Sequence, residues 1–265
     1  MKIISWNIKH DHKNPIEKLQ ELFENEPADI YCIQEVNKKV LDFLKIQHQF
    51  QIYYNIEFSK KSEKTNKQTC SYLVILSKYV IQNSGHFHIV EPNKPISKIS
   101  KYLQKYSSMF ENYTAETGIY IDIKRLNDHK QFRIFNIHLK RFTTPNNRIH
   151  QFKKVIHTMD RTKENIICGD FNILDSFLGK LSGTFFNSSL KENFKFNERK
   201  QFNKILQIQK LINPFSKQIT FDYKYLLGLQ LDHIIVQDHT NIFDKKVLDI
   251  KKYESDHAPI MLEIE

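Results

Sequence analysis

The sequence predicts an α/β fold, and three observations carry that expectation. Apolar runs of strand length, rich in Ile, Val, Phe and Tyr, recur from residue 2 to residue 264. Segments with apolar residues at helical spacing lie between several of them. Five of the strand-like runs are also bounded by a carboxylate, carboxamide or imidazole, and in α/β sheets ligands collect outside strand ends. Hydrophobic residues make up 40% of the 265, enough to bury a substantial core, and no Pro-, Gly- or Ser-rich linker divides the chain. One domain spanning 1–265 is expected.

Residues 2–8 (KIISWNI) read as a buried strand that delivers Asn7 to its end, before the polar Lys9, His10 and Asp11. Pro15 opens a helix in which Ile16, Leu19, Leu22 and Phe23 recur at helical spacing, with Glu17 and Glu21 near its positive end. A second strand at 29–34 (DIYCIQ) places Glu35 at its carboxyl end, and Val40, Leu41 and Leu44 mark a second helix. Strands follow at 52–58, 72–76 and 119–123. In the next, 132–139, Phe132, Ile134, Asn136 and His138 alternate with Arg133, Phe135 and Ile137, so that strand ends in His138. Residues 146–161 suit an amphipathic helix through Ile149, Phe152, Val155, Ile156 and Met159. A strand at 165–168 breaks at Gly169 into Asp170, Phe171 and Asn172, and strands at 231–236, 247–250 and 259–264 close the chain. Segments 91–116 and 176–220 carry few strand signals and are expected to form helices and surface loops.

Forty Lys and Arg against 30 Asp and Glu leave a formal charge of +10, which favours phosphate-rich partners through counterion release. The excess is spread over a Lys-rich chain without a compact basic tail, so a solvated surface explains it equally well. Cys32, Cys70 and Cys168 are odd in number, lack metal-ligand spacing and lie in or beside apolar runs, which predicts buried free thiols in a reducing compartment. The N-terminus, MKIISWNIKHDHK, turns polar early, and no apolar run is long enough to span a bilayer. A cytoplasmic protein without a transmembrane segment is expected.

Taken singly, the polar motifs have plain structural readings. GDFN (169–172) is an Asx-type turn, SDHAPI (255–260) a turn into a strand that Pro259 starts, and LDHIIV (231–236) a strand whose His233 is a satisfied histidine. QEV (34–36) alone carries almost no information. Together and in this order, Asn7, QEV, a strand ending in His138-Leu139, GDFN, LDHI and SDHAP resemble the endonuclease/exonuclease/phosphatase superfamily, which includes deoxyribonuclease I, the AP endonucleases, neutral sphingomyelinases and inositol polyphosphate 5-phosphatases. The resemblance runs from residue 3 to residue 264, with GDFN and SDHAP its most discriminating pieces. It implies a four-layered α/β sandwich of two mixed sheets flanked by helices, with the active site at one end.

Hydrolysing a phosphodiester requires a hard cation on the phosphoryl oxygens, a group that makes water nucleophilic, and donors for the developing charge. Carboxylate and amide oxygens suit Mg²⁺ or Mn²⁺, while the absence of thiolate or clustered-imidazole spacing argues against zinc. By the resemblance, Glu35 is the principal metal ligand, with Asn7 beside it and Asp256 completing the shell. Asp170 and Asn172 orient the attacking water and the phosphate. His257 binds the scissile phosphate or acts as base, Asp232 holds its ring in one tautomer, and His138 donates to a non-bridging oxygen. Whether one or two metals act is left open. Lys9, His10, Lys140 and Arg141 stand near enough in sequence to contact flanking phosphates. Tyr53 and Tyr54, in an alternating strand, read more readily as core than as base-stacking residues.

Departures from individual branches narrow the substrate. Phe135 and His138 stand where AP endonucleases carry a tyrosine and an amide, which disfavours the abasic-site branch. Deoxyribonuclease I supports its histidine with a glutamate near the start of a YL-containing strand, where Cys70 here precedes Ser71, Tyr72 and Leu73. It also has an arginine after its QEV, where Asn37 stands. The leading expectation is a nuclease acting on DNA or RNA, and the alternative a phosphoesterase of a lipid or inositol phosphate. No aromatic hairpin of the sphingomyelinase kind is visible, 91–116 and 205–229 being the segments with room for one. A binding module that keeps only the fold is disfavoured, because all eight site residues are present.

Overall fold

The computed structural model describes residues 1–61, 68–89, 117–125, 127–141, 143–173, 196–223 and 227–265; the expected helices and loops of 91–116 and 176–195 lie outside the described residues. β1 (Lys2–Asn7) is buried from Ile3 onward. β2 (Ile30–Val36) pairs with it in parallel, in register from Ile3↔Ile30 to Asn7↔Gln34, so both strands deliver their polar ends to the same side. Between them runs α1 (Pro15–Asn25), whose leading proline costs nothing because the first helical amides have no intrahelical acceptor. α2 (Lys38–Lys45) starts at Asn37, whose side chain accepts the Val40 amide at 3.0 Å.

The first six-stranded sheet adds β3 (Gln51–Lys61), β4 (Gln68–Ser77), β13 (Ile242–Val247) and β14 (Ile260–Ile264), in the order β13-β14-β1-β2-β4-β3. The second comprises β5 (Ile81–His88), β6 (Thr117–Lys124), β7 (Gln131–His138), β8 (Glu164–Asp170), β12 (Asp232–Gln237) and β9 (Leu211–Ile212), in the order β5-β6-β7-β8-β12-β9. Each sheet mixes parallel and antiparallel pairs. Because strand side chains alternate in direction, each sheet presents two apolar faces. Ile3, Ile30 and Ile75 of the first sheet meet Ile121, Ile134, Ile166 and Ile234 of the second. Ile4, Trp6, Tyr31 and Ile33 face outward onto Leu19, Leu22, Leu41 and Leu44 of the first two helices. Phe135, Ile137, Ile167 and Ile235 are covered by α3 (Pro145–Thr158) and α4 (Glu198–Ile208), through Ile149, Phe152, Val155, Phe202 and Leu206. The result is helices, sheet, sheet, helices: the four-layered sandwich of two mixed sheets. Among the described residues no helix is long and apolar enough to cross a membrane.

Several elements differ from the sequence expectation. The strand expected at 247–250 is instead β13, which ends at Val247; the Asp249 side chain accepts the Lys251 amide at 2.9 Å and starts a short helix, α5 (Ile250–Tyr253). The helix expected at 146–161 stops at Thr158, where Asp160 accepts the Thr162 amide in a turn. β5 and β13 are half-solvated edge strands whose polar residues hide the strand signal. A two-stranded hairpin, β10 (Phe221–Tyr223) with β11 (Leu227–Leu229), stands in the 205–229 segment.

Candidate active site

Strand register assembles one half of the site. His138 lies opposite Asp170 in the parallel β7/β8 pair, and Asp170 lies opposite Asp232 in the antiparallel β8/β12 pair. Gly169, just before Asp170, adopts φ +141°, and a Cβ there would stand 1.8 Å from the Ile137 carbonyl oxygen, so only glycine allows this approach of the two backbones. The facing sheet supplies Asn7 and Glu35. Glu35 takes φ +58° in a bulge between Ile33 and Val36, one of three non-glycine positive-φ positions here with Lys9 (+62°) and Asn172 (+50°).

Asp170 is the meeting point. Its Oδ2 accepts the Asn7 amide nitrogen at 3.1 Å and lies 3.4 Å from His138 Nε2 and 3.7 Å from His257 Nε2. Its Oδ1 accepts the Asn172 amide at 3.0 Å, while Asn172 Nδ2 donates to the Leu139 carbonyl at 3.0 Å. Glu35 Oε1 accepts the same Asn7 nitrogen at 3.1 Å, and Oε2 accepts the His10 amide at 2.9 Å. Asn7 Oδ1 accepts the Lys9 amide at 3.0 Å, which turns the NH₂ group toward the two carboxylates.

Both histidines are held from behind by a buried carboxylate. Asp232 Oδ2 lies 2.9 Å from His257 Nδ1, and Phe221 of the hairpin packs on the His257 ring at 4.8 Å between centroids. Thr220 Oγ1 accepts the Asp232 amide at 2.9 Å. Ser255 ties the loop to β1: its hydroxyl donates to the Asn7 carbonyl at 3.0 Å and accepts the His257 amide at 3.1 Å. For His138 the partner is Glu57, whose Oε1 is bonded to Nδ1. Glu57 is a member of the cluster that the motifs miss. It sits on β3 at a bulge between Ile56 and Phe58, and its Oε2 accepts the Ser71 hydroxyl at 2.9 Å and the Glu35 amide at 3.0 Å. The carboxylate absent at Cys70 is thus supplied by the neighbouring strand.

These contacts set the protonation states. Burial lowers the His138 pKa, but the charges of Glu57 and Asp170 outweigh it and raise the ring to about 10. Burial likewise opposes charge on His257, and Asp232 and Asp170 overcome it, raising the ring to about 9. Burial raises Glu35, yet His138, the His10 amide and the Asn7 amide outweigh it and hold the carboxyl below its ordinary value. Four carboxyl groups, Glu35, Glu57, Asp170 and Asp232, therefore face two imidazoles. Asp232 Oδ1 is buried without a partner among the described residues, and Asp170, Asp232 and His257 offer ligand atoms within 4.8 Å of one another. An excess of hard oxygen donors, one of them orphaned, fits a divalent cation.

The remaining sequence candidates lie around this cluster. Asp256 turns its carboxylate to Lys9 Nζ at 3.7 Å. The His10 carbonyl accepts Asn37 Nδ2 at 3.3 Å, and its ring faces Phe58 at 6.3 Å. Lys140 is half-buried with its amide on Gln151 Oε1 at 3.0 Å, and Arg141 is exposed, its carbonyl accepting Arg148 Nη1 at 3.1 Å. Tyr53 packs against the core between the sheets and Tyr54 lies under Lys45 Nζ at 4.3 Å. His233 is wholly buried, with Asn213 Nδ2 at 2.9 Å from its Nδ1; burial and then the Arg199 charge push its pKa well below the ordinary value.

The family described as endonuclease-reverse transcriptase matches residues 132–261, a stretch that holds His138, GDFN, LDHI and SDHAP. No curated protein matches the chain. Among solved structures, an endonuclease/exonuclease/phosphatase family protein from Leptotrichia buccalis is 16% identical, with a TM-score of 0.69 over 100% of this chain and 99% of that one. A 3′ phosphatase from Neisseria, bound to a product DNA hairpin, is 15% identical with a TM-score of 0.61, over 100% and 99%. A mannosyl-6-phosphatase from Bacteroides thetaiotaomicron is 15% identical with a TM-score of 0.62, again over 100% and 99%. At these identities the likeness is one of fold.

Proposed function

We propose that this chain, which has the fold of the endonuclease/exonuclease/phosphatase proteins and matches a family model over residues 132–261, is a member of that superfamily and a divalent-metal-dependent phosphodiesterase that cleaves nucleic acid. The observation that carries this reading is the convergence on Asp170 Oδ2 of Asn7, His138 and His257, from three separate strands or loops across two sheets. Buried polar groups are costly to gather without a ligand that uses them.

Glu35 would be the principal holder of Mg²⁺ or Mn²⁺, joined by Asn7 through the amide oxygen that now accepts the Lys9 amide and by Asp256 through the carboxylate that now faces Lys9 Nζ; the ion would neutralise phosphoryl oxygens and lower the pKa of water. Asp170 and Asn172 orient the attacking water: Asn172 Nδ2 is tied to Leu139, which leaves Oδ1 to accept from it. His138 and His257 have Nδ1 engaged by Glu57 and Asp232, so Nε2 of each is turned into the site to donate to non-bridging oxygens. Lys9, Lys140 and Arg141 contact phosphates on either side of the scissile one. A nucleic-acid substrate is favoured by the +10 charge and by the description of the matched family.

The test is a panel: the purified protein with Mg²⁺ or Mn²⁺ against single- and double-stranded DNA, RNA, an abasic-site duplex, sphingomyelin, inositol phosphates and mannose 6-phosphate. Cleavage of DNA or RNA well above the others is the expected result. Preferential turnover of a lipid, inositol or sugar phosphate overturns the substrate assignment.

A further inference from the structure

The Glu35 half of the site and the His138–Asp170 half stand on different sheets; within the site Asn7 and Glu57 bond across to Asp170 and His138, and behind it the sheets meet mostly by apolar packing. Such packing is non-directional, whereas a metal-phosphate site must hold its groups to within roughly half an ångström. Directly behind the site, beside a long Cys32 Sγ–Phe135 carbonyl contact at 4.0 Å, a pair of buried amides crosses the gap. Gln34, the residue before Glu35, and Asn136, two residues before His138, are both wholly buried. Gln34 Nε2 lies 2.7 Å from Asn136 Oδ1, 3.0 Å from the Cys32 carbonyl and 3.2 Å from Ser5 Oγ, and its two hydrogens are shared among the three. Asn136 Nδ2 in turn donates to the carbonyls of Ile33 at 3.0 Å and Val74 at 2.8 Å. All three Asn136 side-chain bonds therefore end on the other sheet.

The two carbonyls are not arbitrary partners. Ile33 and Val74 are the last regular pair of the β2/β4 ladder before the bulge that gives Glu35 its positive φ. The bulge interrupts the ladder there, and Asn136 supplies donors to the carbonyls at its margin.

We propose that the Gln34–Asn136 amide pair is the spacer that sets the distance between the two halves of the site and holds the bulge that aims Glu35. Neither residue touches the reacting atoms; both are positioning residues, and the inference rests on the metal-site reading of Glu35. Outer partners of metal-binding residues typically contribute 10–100-fold in metal affinity or activity.

The experiment measures Mn²⁺ binding without substrate, by electron paramagnetic resonance, together with melting temperature, kcat and KM. It compares wild type, Asn136→Leu, Gln34→Met and, as a core control in the same strand, Ile134→Ala. Mn²⁺ affinity is expected to fall about 10-fold in Asn136→Leu and a few-fold in Gln34→Met, with kcat reduced and KM little changed. Ile134→Ala should lose melting temperature without losing affinity. If Asn136→Leu does not fold, Gln34→Met carries the comparison, because it keeps both Asn136 donors on their carbonyls. Variant affinities within twofold of wild type, or losses matched by Ile134→Ala at equal melting temperature, overturn the spacer alone. A folded wild type that binds no Mn²⁺ overturns the proposed function and the spacer with it.

Discussion

His138 and His257 use the same device: a buried carboxylate holds Nδ1 and leaves Nε2 facing Asp170. For His257 the acid, Asp232, was readable from LDHI. For His138 it is Glu57, which belongs to no motif. Its one sequence signal is phase, since Tyr53, Asn55 and Glu57 alternate onto one face of the strand, and a carboxylate on the inward face needs a partner. Glu57→Gln should lower kcat about 10–100-fold, with a smaller effect on KM, because it weakens support for His138 and leaves the ring in place; steady-state kinetics on the best substrate checks this. His257→Ala should cost roughly 10²–10⁴-fold in kcat and Asp232→Asn less. The double variant should be no slower than His257→Ala alone, since the two act as one unit. Multiplying losses in that cycle would show that they act independently.

At the level of elements, short motifs with demanding geometry were legible and edges were not. GDFN marked the end of β8 to within two residues: the strand runs through Gly169 to Asp170 instead of breaking at Gly169, because glycine there lets the backbone pass close to β7. β5 and β13 escaped notice because one face of each meets solvent, and the apolar residues at 247–250 suggested a strand that Asp249 converts into a helix start. Part of the contact between α3 and α4 was equally hidden, for beside the packing of Phe152 on Phe202 at 4.9 Å between centroids it holds a buried ion pair. Arg148 Nε and Nη2 bond Glu198 at 2.7 and 3.0 Å, and Arg148 Nη1 holds the carbonyls of Arg141 and Thr143 at 3.1 Å each. Glu198→Ala should therefore destabilise by about 3–5 kcal/mol, the usual cost of leaving a buried charge unpaired. Arg148→Met with Glu198→Leu should recover most of that loss in chemical denaturation. An exposed-pair value under about 1 kcal/mol for Glu198→Ala would mean the pair is solvated.

For the whole molecule, the four-layered architecture was legible only through the family resemblance that the motifs carry in their order; the residues by themselves said no more than that their strand ends converge. Stability away from the site depends on charge as well as on the core. Asp122, buried on β6, accepts Arg133 Nε at 2.8 Å, Arg133 Nη2 at 2.9 Å and Lys163 Nζ at 2.8 Å. Burial raises its carboxyl, but the bonds from Arg133, Lys163 and Asn83 outweigh that and hold it below the ordinary value. A depressed carboxylate stabilises the fold above its unfolded pKa, about 3.9, and loses that contribution as pH falls through the folded value. Asp122→Asn should thus melt below wild type at pH 7, with the gap closing below about pH 4. A gap independent of pH would assign the loss to packing. The central claim is that Glu35 makes this fold a metal-dependent phosphodiesterase, and its most direct measurement is cleavage of the best nucleic-acid substrate by chelator-treated protein, with Mg²⁺ or Mn²⁺ then added back to wild type and to Glu35→Ala. The account predicts no cleavage in chelator, recovery of wild type with either ion and little recovery of Glu35→Ala; undiminished hydrolysis in chelator, or full recovery of the variant at the same ion concentration, would contradict it.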